Sequence, residues 1–364
     1  MPGVPGAPPD NPSAQCLEEL TVLLDDMRKA DRLFQPTQFW RNCSAAIVDD
    51  LRSRGFEDFK SHRSALAYFV PSYAKARERY SRTFAALLDR HLLPETKILR
   101  RLQDYLNGRQ QALADYRVAR AATPEPGAFL GSGESRIGNG LLHEIGGASF
   151  GKACLNYLRG LAFLQRVPGY RSDPARTFLE IGGGFGSLGE IVLTEAPENR
   201  YMNVDIPPVL PVSTYYLKSL FGRDAVQSYA LTRGLNEIGI AACFARYRAA
   251  TLPAWQLPLL RGAADCFVNF VSFQEMEPAV VRNYIGLVMP LTRKYVILRN
   301  SRHGKRLAKS DGNIGVEQPT TLDMMIEWFS DFEVFDRDSL VFGDESRFGS
   351  FRSEVAVLKR KTAI

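Results

Sequence analysis

The residues that most clearly suggest chemistry are the glycines in the segment FLEIGGGFGSLGEIVL. An apolar strand pattern runs into Gly182, Gly183, Gly184 and Gly186, and a helical pattern begins near Ser187. A strand that turns this sharply into a helix needs residues without a β-carbon, both for unusual backbone angles and for close approach of a ligand to the main chain. The segment therefore predicts a turn that holds a nucleotide-like cofactor.

The next strand pattern, RYMNVDI, places an acid where such a cofactor carries its ribose. Asp205 ends that strand, and a carboxylate there can accept both hydroxyl protons of a ribose. Two cofactor classes share this layout, because Gly184, Gly186 and Gly189 also satisfy the GxGxxG spacing of dinucleotide sites. The glycines alone leave NAD(P) and S-adenosylmethionine open.

Two further features favour S-adenosylmethionine. Glu180 stands two residues before Gly182 in an E-x-G-x-G pattern, and an acid near the turn suits a cationic ligand end but repels a pyrophosphate. The chain also closes with two strand patterns, EVFDRDSLVFG and FRSEVAVLKRK, which predict an antiparallel hairpin instead of a further helix. An NAD(P)-dependent oxidoreductase remains the alternative.

Several segments together resemble a family of sugar O-methyltransferases found in bacterial polysaccharide and antibiotic gene clusters. They are LEIGGGFGSLGE, YMNVDIPPVLPVSTYYLKSLFG and FVNFVSFQEM, with ESRIGNG and LNYLRGL upstream. The resemblance runs from near Phe39 to the RN that ends the strand pattern KYVILRN, so it covers most of the chain. It implies a class I methyltransferase that transfers a methyl group from S-adenosylmethionine to a hydroxyl of a sugar or glycosylated small molecule. Gly140, where the family pattern has proline, and the strongly basic segment RNSRHGKRLAK depart from the family.

The resemblance and the placement of the motifs together assign the cofactor contacts. Glu180, Gly182 and Gly184 are expected at the methionine end, Asp205 at the ribose and Ile206 against the adenine. Gly186 completes the predicted cofactor-binding set.

An alcohol acceptor also needs a general base, which must stand above the carboxyl ends of the strands. Glu275, in SFQEME after the strand pattern DCFVNFVSF, is one candidate, although Ser272 and Glu275 also fit a helix capping box. His143, in a glycine-rich segment, and His303, after the strand pattern KYVILRN, are the others, although each also fits an ordinary loop histidine. These three form the predicted catalytic set.

The predicted acceptor-binding residues lie at the same edge. They are Glu134, Asn139, Gln274, Arg299 and Arg302. The two arginines open the basic run, which is either a solvated face or a site for an anionic acceptor, because guanidinium groups match carboxylate and phosphate geometry. No ligand spacing singles out a metal site, so none is predicted.

These residues need elements to position them, and the chain divides into four regions. Residues 1–15 are a Pro-rich tail that we expect to be disordered, and residues 16–122 repeat apolar residues every three to four positions, which predicts an all-helical domain. Residues 123–150 form a Gly-rich loop or lid, with a linker as the alternative reading. Residues 151–364 begin with a helix near 152–165 and continue as the methyltransferase domain.

Strand patterns alternate with helical patterns in that last region. TFLEI, RYMNVDI, DCFVNFVSF and KYVILRN are the predicted strands. The alternation predicts an α/β fold with a Rossmann-like parallel sheet that ends in the antiparallel hairpin.

Composition limits the remaining classes. The 364 residues are 45% hydrophobic and carry a net charge of +6, which predicts a globular protein without the concentrated basic excess of nucleic-acid binders. No apolar run approaches the ~20 residues of a membrane span, and five cysteines without metal-ligand spacing predict a reduced, cytoplasmic protein. We expect a small-molecule acceptor and no nucleic-acid or membrane partner; a homodimer is compatible with the sequence. An RNA-modifying enzyme and a non-catalytic cofactor-binding scaffold are the remaining rivals.

Overall fold

The computed structural model describes residues 12–74, 97–124, 129–131, 133–308, 315–341, 343–346 and 349–362. Parts of two predicted regions fall outside this range. They are residues 1–11 of the Pro-rich tail and residues 75–96 of the predicted helical domain.

The N-terminal region is helical wherever the structure describes it. Its helices are α1 (Pro12–Met27), α2 (Gln38–Arg54), α3 (Arg63–Tyr68), α4 (Lys97–Asn107) and α5 (Arg109–Ala122). In α2 the buried Phe39, Cys43, Ile47 and Leu51 recur every four residues, so one face of the helix packs inward. Gly55, with φ at 75°, ends the helix. Helix α1 begins at Pro12, so residues 12–15 of the tail that was expected to be disordered are helical in the structure.

The segment predicted as a loop contains a short hairpin. Strands β1 (His143–Ile145) and β2 (Ala148–Phe150) pair antiparallel around Gly146 and Gly147, whose φ angles are 61° and 88°. Two adjacent residues with positive φ form the turn whose twist matches a tight hairpin, which explains why a glycine-rich segment is regular here. Helix α6 (Lys152–Leu164) follows close to its predicted bounds.

The remaining strands build the sheets. They are β3 (Thr177–Ile181), β4 (Arg200–Asp205), β5 (Val226–Gln227), β6 (Ile238–Gly239), β7 (Ala249–Pro253), β8 (Leu260–Arg261), β9 (Ala264–Phe270), β10 (Thr292–Ser301), β11 (Phe332–Asp338), β12 (Gly343–Ser346) and β13 (Gly349–Arg360). Helices in this half are α7 (Ser187–Glu195), α8 (Val209–Phe221), α9 (Tyr229–Thr232), α10 (Ile240–Arg246), α11 (Pro278–Val288) and α12 (Leu322–Trp328).

The main sheet has the order β11-β13-β10-β9-β3-β4-β7-β5. Strands β5, β7, β4, β3, β9 and β10 are joined by parallel pairings, whereas β13 is antiparallel to both β10 and β11. This confirms the predicted α/β fold class, a Rossmann-like parallel sheet with a C-terminal antiparallel hairpin. The turn predicted inside that hairpin instead carries β12, which pairs with β13.

The chain reverses direction across the sheet between β3 and β9. From β3 it proceeds outward to β4 and β7, and it then returns to add β9 and β10 on the other side of β3. In open parallel sheets the crevice for a ligand lies outside the carboxyl ends of the strands at this switch point. The glycine-rich turn follows β3 directly and therefore lies in that crevice.

The strands around the switch point are buried on both faces. Every residue of β9 is buried, as expected for a central strand covered by helices on each side. All five cysteines are buried and unpaired. Among the described residues, no helix is both long and apolar enough to cross a membrane.

Candidate functional site

A cavity of about 620 Å³ opens above the carboxyl ends of β3, β4 and β9. We call the turn 182–184 with Asp205 and Ser272 the floor, and Trp40 with residues 66–71 the cover. Helix α6 and the end of β10 form the side walls. The predicted helical region therefore reaches over the predicted cofactor turn.

The turn after β3 depends on missing β-carbons. Gly182 has φ at 72°, and a β-carbon there would lie 2.3 Å from the Ser272 Oγ. Gly184, with φ at 59°, has only the Phe69 carbonyl oxygen nearby, 3.8 Å from where a β-carbon would lie. Both glycines line the cavity, whereas Gly186 is the N-cap of α7 and is not among the described lining residues. The main chain of the floor is therefore open to close approach by a ligand.

Asp205 is the carboxylate that the floor presents. Its Oδ1 accepts a hydrogen bond from the Ile206 amide at 2.8 Å, and its Oδ2 accepts one from the Gly184 amide at 3.1 Å. Burial raises the pKa of Asp205 to about 7. Both Asp205 and Ile206 line the cavity, and their contacts with ribose and adenine stay predictions. Each carboxylate oxygen keeps acceptor capacity for a ligand hydroxyl.

The structure places Glu180 beneath the turn, away from the cavity wall where the sequence pattern suggested a direct ligand contact. Its carboxylate accepts hydrogen bonds from the Tyr157 hydroxyl at 2.8 Å and the Tyr201 hydroxyl at 2.5 Å. Burial raises the pKa of Glu180 to about 8. Tyr157 itself lines the cavity and stacks on Phe270 at 4.8 Å. Glu180 therefore affects the cavity by holding the hydroxyl of Tyr157, whose side chain lines it.

Buried amides hold the segment after β9 in place. Asn269 Nδ2 donates to the Ser272 Oγ at 2.6 Å, and the Ser272 hydroxyl donates to the Ile181 carbonyl at 3.0 Å. Gln274 Oε1 accepts from the Ser301 amide at 2.5 Å, so this predicted acceptor residue ties the loop to β10 and is absent from the described cavity wall. Val271, a cavity residue, has φ at 71°, a strained angle for a β-branched side chain.

Glu275 is the member of the predicted catalytic set that lines the cavity. Lys305 Nζ donates to its Oε1 at 2.6 Å, and the same ammonium lies 3.5 Å from the centroid of the Phe39 ring. Burial raises the pKa of Glu275. Ser272 makes no side-chain capping bond to the short 3-10 helix Phe273–Glu275, so the capping box considered for this segment does not form.

The two predicted catalytic histidines lie elsewhere. His143 belongs to β1, is 4% exposed and packs edge-on against Tyr73 at 5.8 Å. Burial lowers the pKa of His143. His303 is exposed in the turn after β10. Neither belongs to the described cavity lining, because the glycine-rich segment folds into the β1–β2 hairpin and the turn after β10 points outward.

Only Arg299 among the predicted acceptor residues lines the described cavity. Arg302 pairs with Glu354 at 3.3 Å, and Glu134 is buried against Lys60 Nζ at 2.6 Å. The Asn139 carbonyl accepts a hydrogen bond from the Ser61 hydroxyl at 2.7 Å. Among the described residues of the basic run, Arg299 lines the cavity, Lys305 pairs with the cavity residue Glu275, and Arg302 and Arg306 are exposed.

Several wall residues were not predicted from the sequence. They are Trp40, Leu66, Ala67, Tyr68, Phe69, Val70 and Pro71 in the cover, and Lys152, Ala153, Asn156, Tyr157 and Arg159 on α6. The segment LNYLRGL, which includes three of the α6 residues, was noticed only as part of a resemblance. The cover carries no local motif. No group of three metal-ligating side chains occurs in the part of the chain that the structure describes.

A scan against protein-family models finds no match, and a search of curated proteins finds none. Among solved structures, magnesium protoporphyrin IX methyltransferase (ChlM) from Synechocystis PCC 6803 with bound SAH is 13% identical over 52% of this chain and 77% of its own, with a TM-score of 0.35. The mitomycin 7-O-methyltransferase MmcR is 14% identical over 96% of this chain and 100% of its own, with a TM-score of 0.33. The pyocyanin biosynthetic protein PhzM is 15% identical over 96% and 99%, with a TM-score of 0.35. Likenesses this distant carry no argument about function, which depends on the geometry of the site itself.

Proposed function

We propose that this chain is an S-adenosylmethionine-dependent O-methyltransferase that acts on a hydroxyl of a sugar or glycosylated small molecule. The observation that carries the proposal is the cavity at the switch point of the sheet, with Gly182 and Gly184 in its wall beside the main-chain-held carboxylate of Asp205. A volume of about 620 Å³ is in the range of cofactor-sized sites.

Residues in and beside the floor offer a contact for each part of S-adenosylmethionine. Asp205 accepts the hydroxyls of the ribose, Ile206 packs against the adenine, and the open main chain at Gly182 and Gly184 admits the methionine portion. When it is ionised, the buried Glu180 beneath this turn favours a ligand that carries a positive sulfonium. The ionised carboxylate also disfavours the pyrophosphate of a dinucleotide.

Methyl transfer requires alignment more than covalent help from the protein. The acceptor oxygen attacks the methyl carbon in line with the carbon–sulfur bond; the new carbon–oxygen bond forms as that bond breaks, and sulfur leaves as the neutral thioether S-adenosylhomocysteine. The acceptor hydroxyl gives its proton to a base. Residues 66–71 of the cover exclude water from this step and help to orient the acceptor.

Glu275 is the proposed base. Its carboxylate lines the cavity, and burial raises its pKa toward the range in which a carboxylate accepts a proton efficiently. A Glu275→Gln variant should lose most of its turnover, by about a hundredfold or more, and keep its affinity for S-adenosylhomocysteine. A parallel loss of both would assign Glu275 to cofactor binding.

The sugar acceptor is supported by the resemblance in LEIGGGFGSLGE and the segments that accompany it. A non-sugar acceptor uses the same machinery, since the acceptor is chosen by the cover and side walls.

Calorimetry with S-adenosylhomocysteine and, separately, NAD⁺ tests the cofactor. Binding of S-adenosylhomocysteine with a dissociation constant in the micromolar range, together with methylation of a glycoside detected by mass spectrometry, is the expected result. Binding of NAD⁺ alone would overturn the proposal in favour of an oxidoreductase. Cofactor binding without turnover on any glycoside or other hydroxyl compound would leave a binding scaffold and overturn the enzymatic part.

A further inference from the structure

Glu275, the proposed base, is paired with a lysine from the loop after β10. Lys305 Nζ lies 2.6 Å from Glu275 Oε1, and the two side chains are only 20% and 10% exposed. An exposed lysine–glutamate pair has little effect, because water screens the charges and both side chains lose freedom. In a pair this buried the local dielectric is low, so each charge acts strongly on the ionisation of the other.

The main chain around Lys305 is held against the segment that carries Glu275. Gly304 has φ at 74°, and a β-carbon there would lie 2.8 Å from the Thr320 carbonyl oxygen. The Thr320 hydroxyl in turn donates to the Met276 carbonyl at 2.7 Å. Lys305 is therefore presented to Glu275 by a loop whose close packing requires a glycine, which distinguishes it from a lysine on a free surface.

The same ammonium lies against an aromatic ring that supports the cover. Its Nζ is 3.5 Å from the centroid of the Phe39 ring, and Phe39 packs edge-on against Trp40 at 5.6 Å. At the start of the same helix, the Thr37 hydroxyl donates to the Glu275 carbonyl at 3.0 Å. The attraction between a cation and a ring face offsets part of the cost of burying the ammonium. Lys305 thus contacts both the proposed base and the residues beneath the cover.

The groups around Glu275 act on its charge with opposite signs. Burial raises the pKa of Glu275, the charge and hydrogen bond of Lys305 lower it, and a hydrogen bond from Trp40 adds a smaller lowering. The charge of Glu275 adds to burial in raising the pKa of Asp205, so the two acids disfavour each other's ionisation. Burial and the charge of Glu275 raise the pKa of the Cys43 thiol to about 11, so this thiol is neutral near physiological pH. Lys305 is the cation in direct contact with Glu275 that favours its ionised form.

We propose that Lys305 is a positioning residue for methyl transfer, which keeps Glu275 ionised and fixes its carboxylate at the edge of the cavity. This inference rests on the proposed function. Lys305 itself does not touch the reacting atoms: its ammonium holds Oε1, and the carboxylate keeps acceptor capacity for the hydroxyl of the acceptor. When that hydroxyl gives its proton to Glu275, the carboxylate becomes a neutral acid, Lys305 keeps its charge, and the proton then leaves to water.

The titration of Glu275 in the full chain tests this role without any acceptor. Carbon-13 NMR of protein labelled at the glutamate carboxyl carbons follows the titration, and the signal of Glu275 is the one that is missing in a Glu275→Gln variant. In Lys305→Met, which keeps an unbranched stem against Phe39 but removes the charge, the midpoint should rise by about one pH unit or more. An unchanged or lower midpoint overturns the inference.

Three companion variants separate charge from packing. Lys305→Arg keeps the charge and should titrate close to the wild type, whereas Lys305→Gln removes the charge but keeps a donor and should shift in the same direction as Lys305→Met. Lys305→Gln also serves if the methionine variant does not fold. Arg306→Gln is the matched control, because Arg306 is exposed in the same loop and its loss should leave the midpoint unchanged. An equal shift in Arg306→Gln would assign the effect to the general field of the loop and overturn the role of Lys305.

The pH dependence of turnover provides a second readout. With saturating S-adenosylmethionine, the acidic limb of kcat for a glycoside should move to higher pH in Lys305→Met, so that the loss near neutral pH is about tenfold and is largely recovered about two pH units higher. A loss of the same size at every pH would give Lys305 a purely structural role and overturn the inference.

The outcomes also distinguish this inference from the proposed function. Failure of the wild-type chain to bind S-adenosylhomocysteine removes the proposed function, and full turnover in Glu275→Gln removes its base. Normal cofactor binding and an inactive Glu275→Gln variant, together with an unshifted midpoint in Lys305→Met, overturn the inference alone.

Discussion

The floor and the cover of the cavity face the same space but are built differently. The floor is held by main-chain geometry and buried hydrogen bonds: Gly182 in left-handed conformation, Asp205 bonded to two amides, and Ser272 bonded to the Ile181 carbonyl. The cover is held by side-chain packing, with Phe39 edge-on to Trp40 at 5.6 Å and to Tyr68 at 6.5 Å.

This difference has a consequence for function. Hydrogen bonds to the backbone fix atomic positions within narrow limits, whereas packed surfaces tolerate volume-conserving changes. A part of the site that binds one invariant cofactor can be rigid, and a part that selects an acceptor can vary. We therefore expect changes in the floor to act on cofactor affinity and changes in the cover to act on the acceptor.

The largest expected effect is at Gly182. A Gly182→Ala substitution forces a β-carbon into a φ of 72° and to within 2.3 Å of the Ser272 Oγ, so the turn must move. Strain and displacement together should reduce affinity for S-adenosylhomocysteine by about a hundredfold, measured by calorimetry. Gly222→Ala is the control for strain alone, since Gly222 has φ at 92° with no atom within 4 Å of the added carbon. Comparable cofactor affinity in the two variants would contradict a special role for the floor.

An intermediate effect is expected in the cover. Ala67 is exposed and lines the cavity, so Ala67→Phe adds a ring at the acceptor side without disturbing the floor. The KM for a glycoside acceptor should rise about tenfold, with affinity for S-adenosylhomocysteine nearly unchanged. Ala245→Phe, on the exposed face of α10, is the matched control. A fall in cofactor affinity that accompanies the rise in acceptor KM would show that the floor and the cover are not functionally separate.

The smallest effect concerns the charge of two buried acids, Asp205 in the floor and Glu180 beneath it. Burial raises the pKa of Asp205 to about 7 and that of Glu180 to about 8, so both gain negative charge as the pH rises from about 6 to about 8.5. A sulfonium favours the ionised acids and a thioether does not. The affinity for S-adenosylmethionine relative to S-adenosylhomocysteine should therefore increase severalfold over this range, measured by competition binding.

The Asp205→Asn variant should show a weaker increase, and an affinity ratio that is flat with pH in the wild type would contradict the electrostatic role.

The raised pKa values of Asp205 and Glu180 also make the free energy of unfolding depend on pH. The folded chain holds these two protons up to about pH 7 and pH 8, whereas the unfolded chain releases them near pH 4. Their contribution to the free energy of unfolding therefore decreases as the pH rises from about 4 to about 8.

Local sequence patterns were sufficient for the parts of the site that depend on consecutive residues. The strand, the glycines and the acid at the end of the following strand are all within one β-α-β unit, so their spacing along the chain determines their spacing in space. Gly182, Gly184, Asp205 and Ile206 accordingly line the cavity where they were expected. Glu180 differs, because alternate residues of a strand point to opposite faces and this one meets Tyr157 and Tyr201.

The catalytic and acceptor predictions depended on loops, and there the sequence was less informative. His143 and His303 were chosen for their chemistry and their nearness in sequence to the sheet edge, but neither side chain lies in the described cavity wall. Loop direction depends on turn geometry and on packing partners far away in the chain, such as Tyr73 for His143.

The amino-acid sequence by itself determined the α/β class, the helical character of the described N-terminal residues, and the glycine turn with an acid at the end of the next strand, because each follows from periodicity or from short-range stereochemistry. Only the tertiary structure decided that β13 lies between β10 and β11, that residues 66–71 cover the turn, and that Arg299 faces the cavity while Arg302 does not. Those arrangements depend on contacts between residues distant in the chain, whose energies are set by packing and burial in three dimensions and leave no pattern in local spacing.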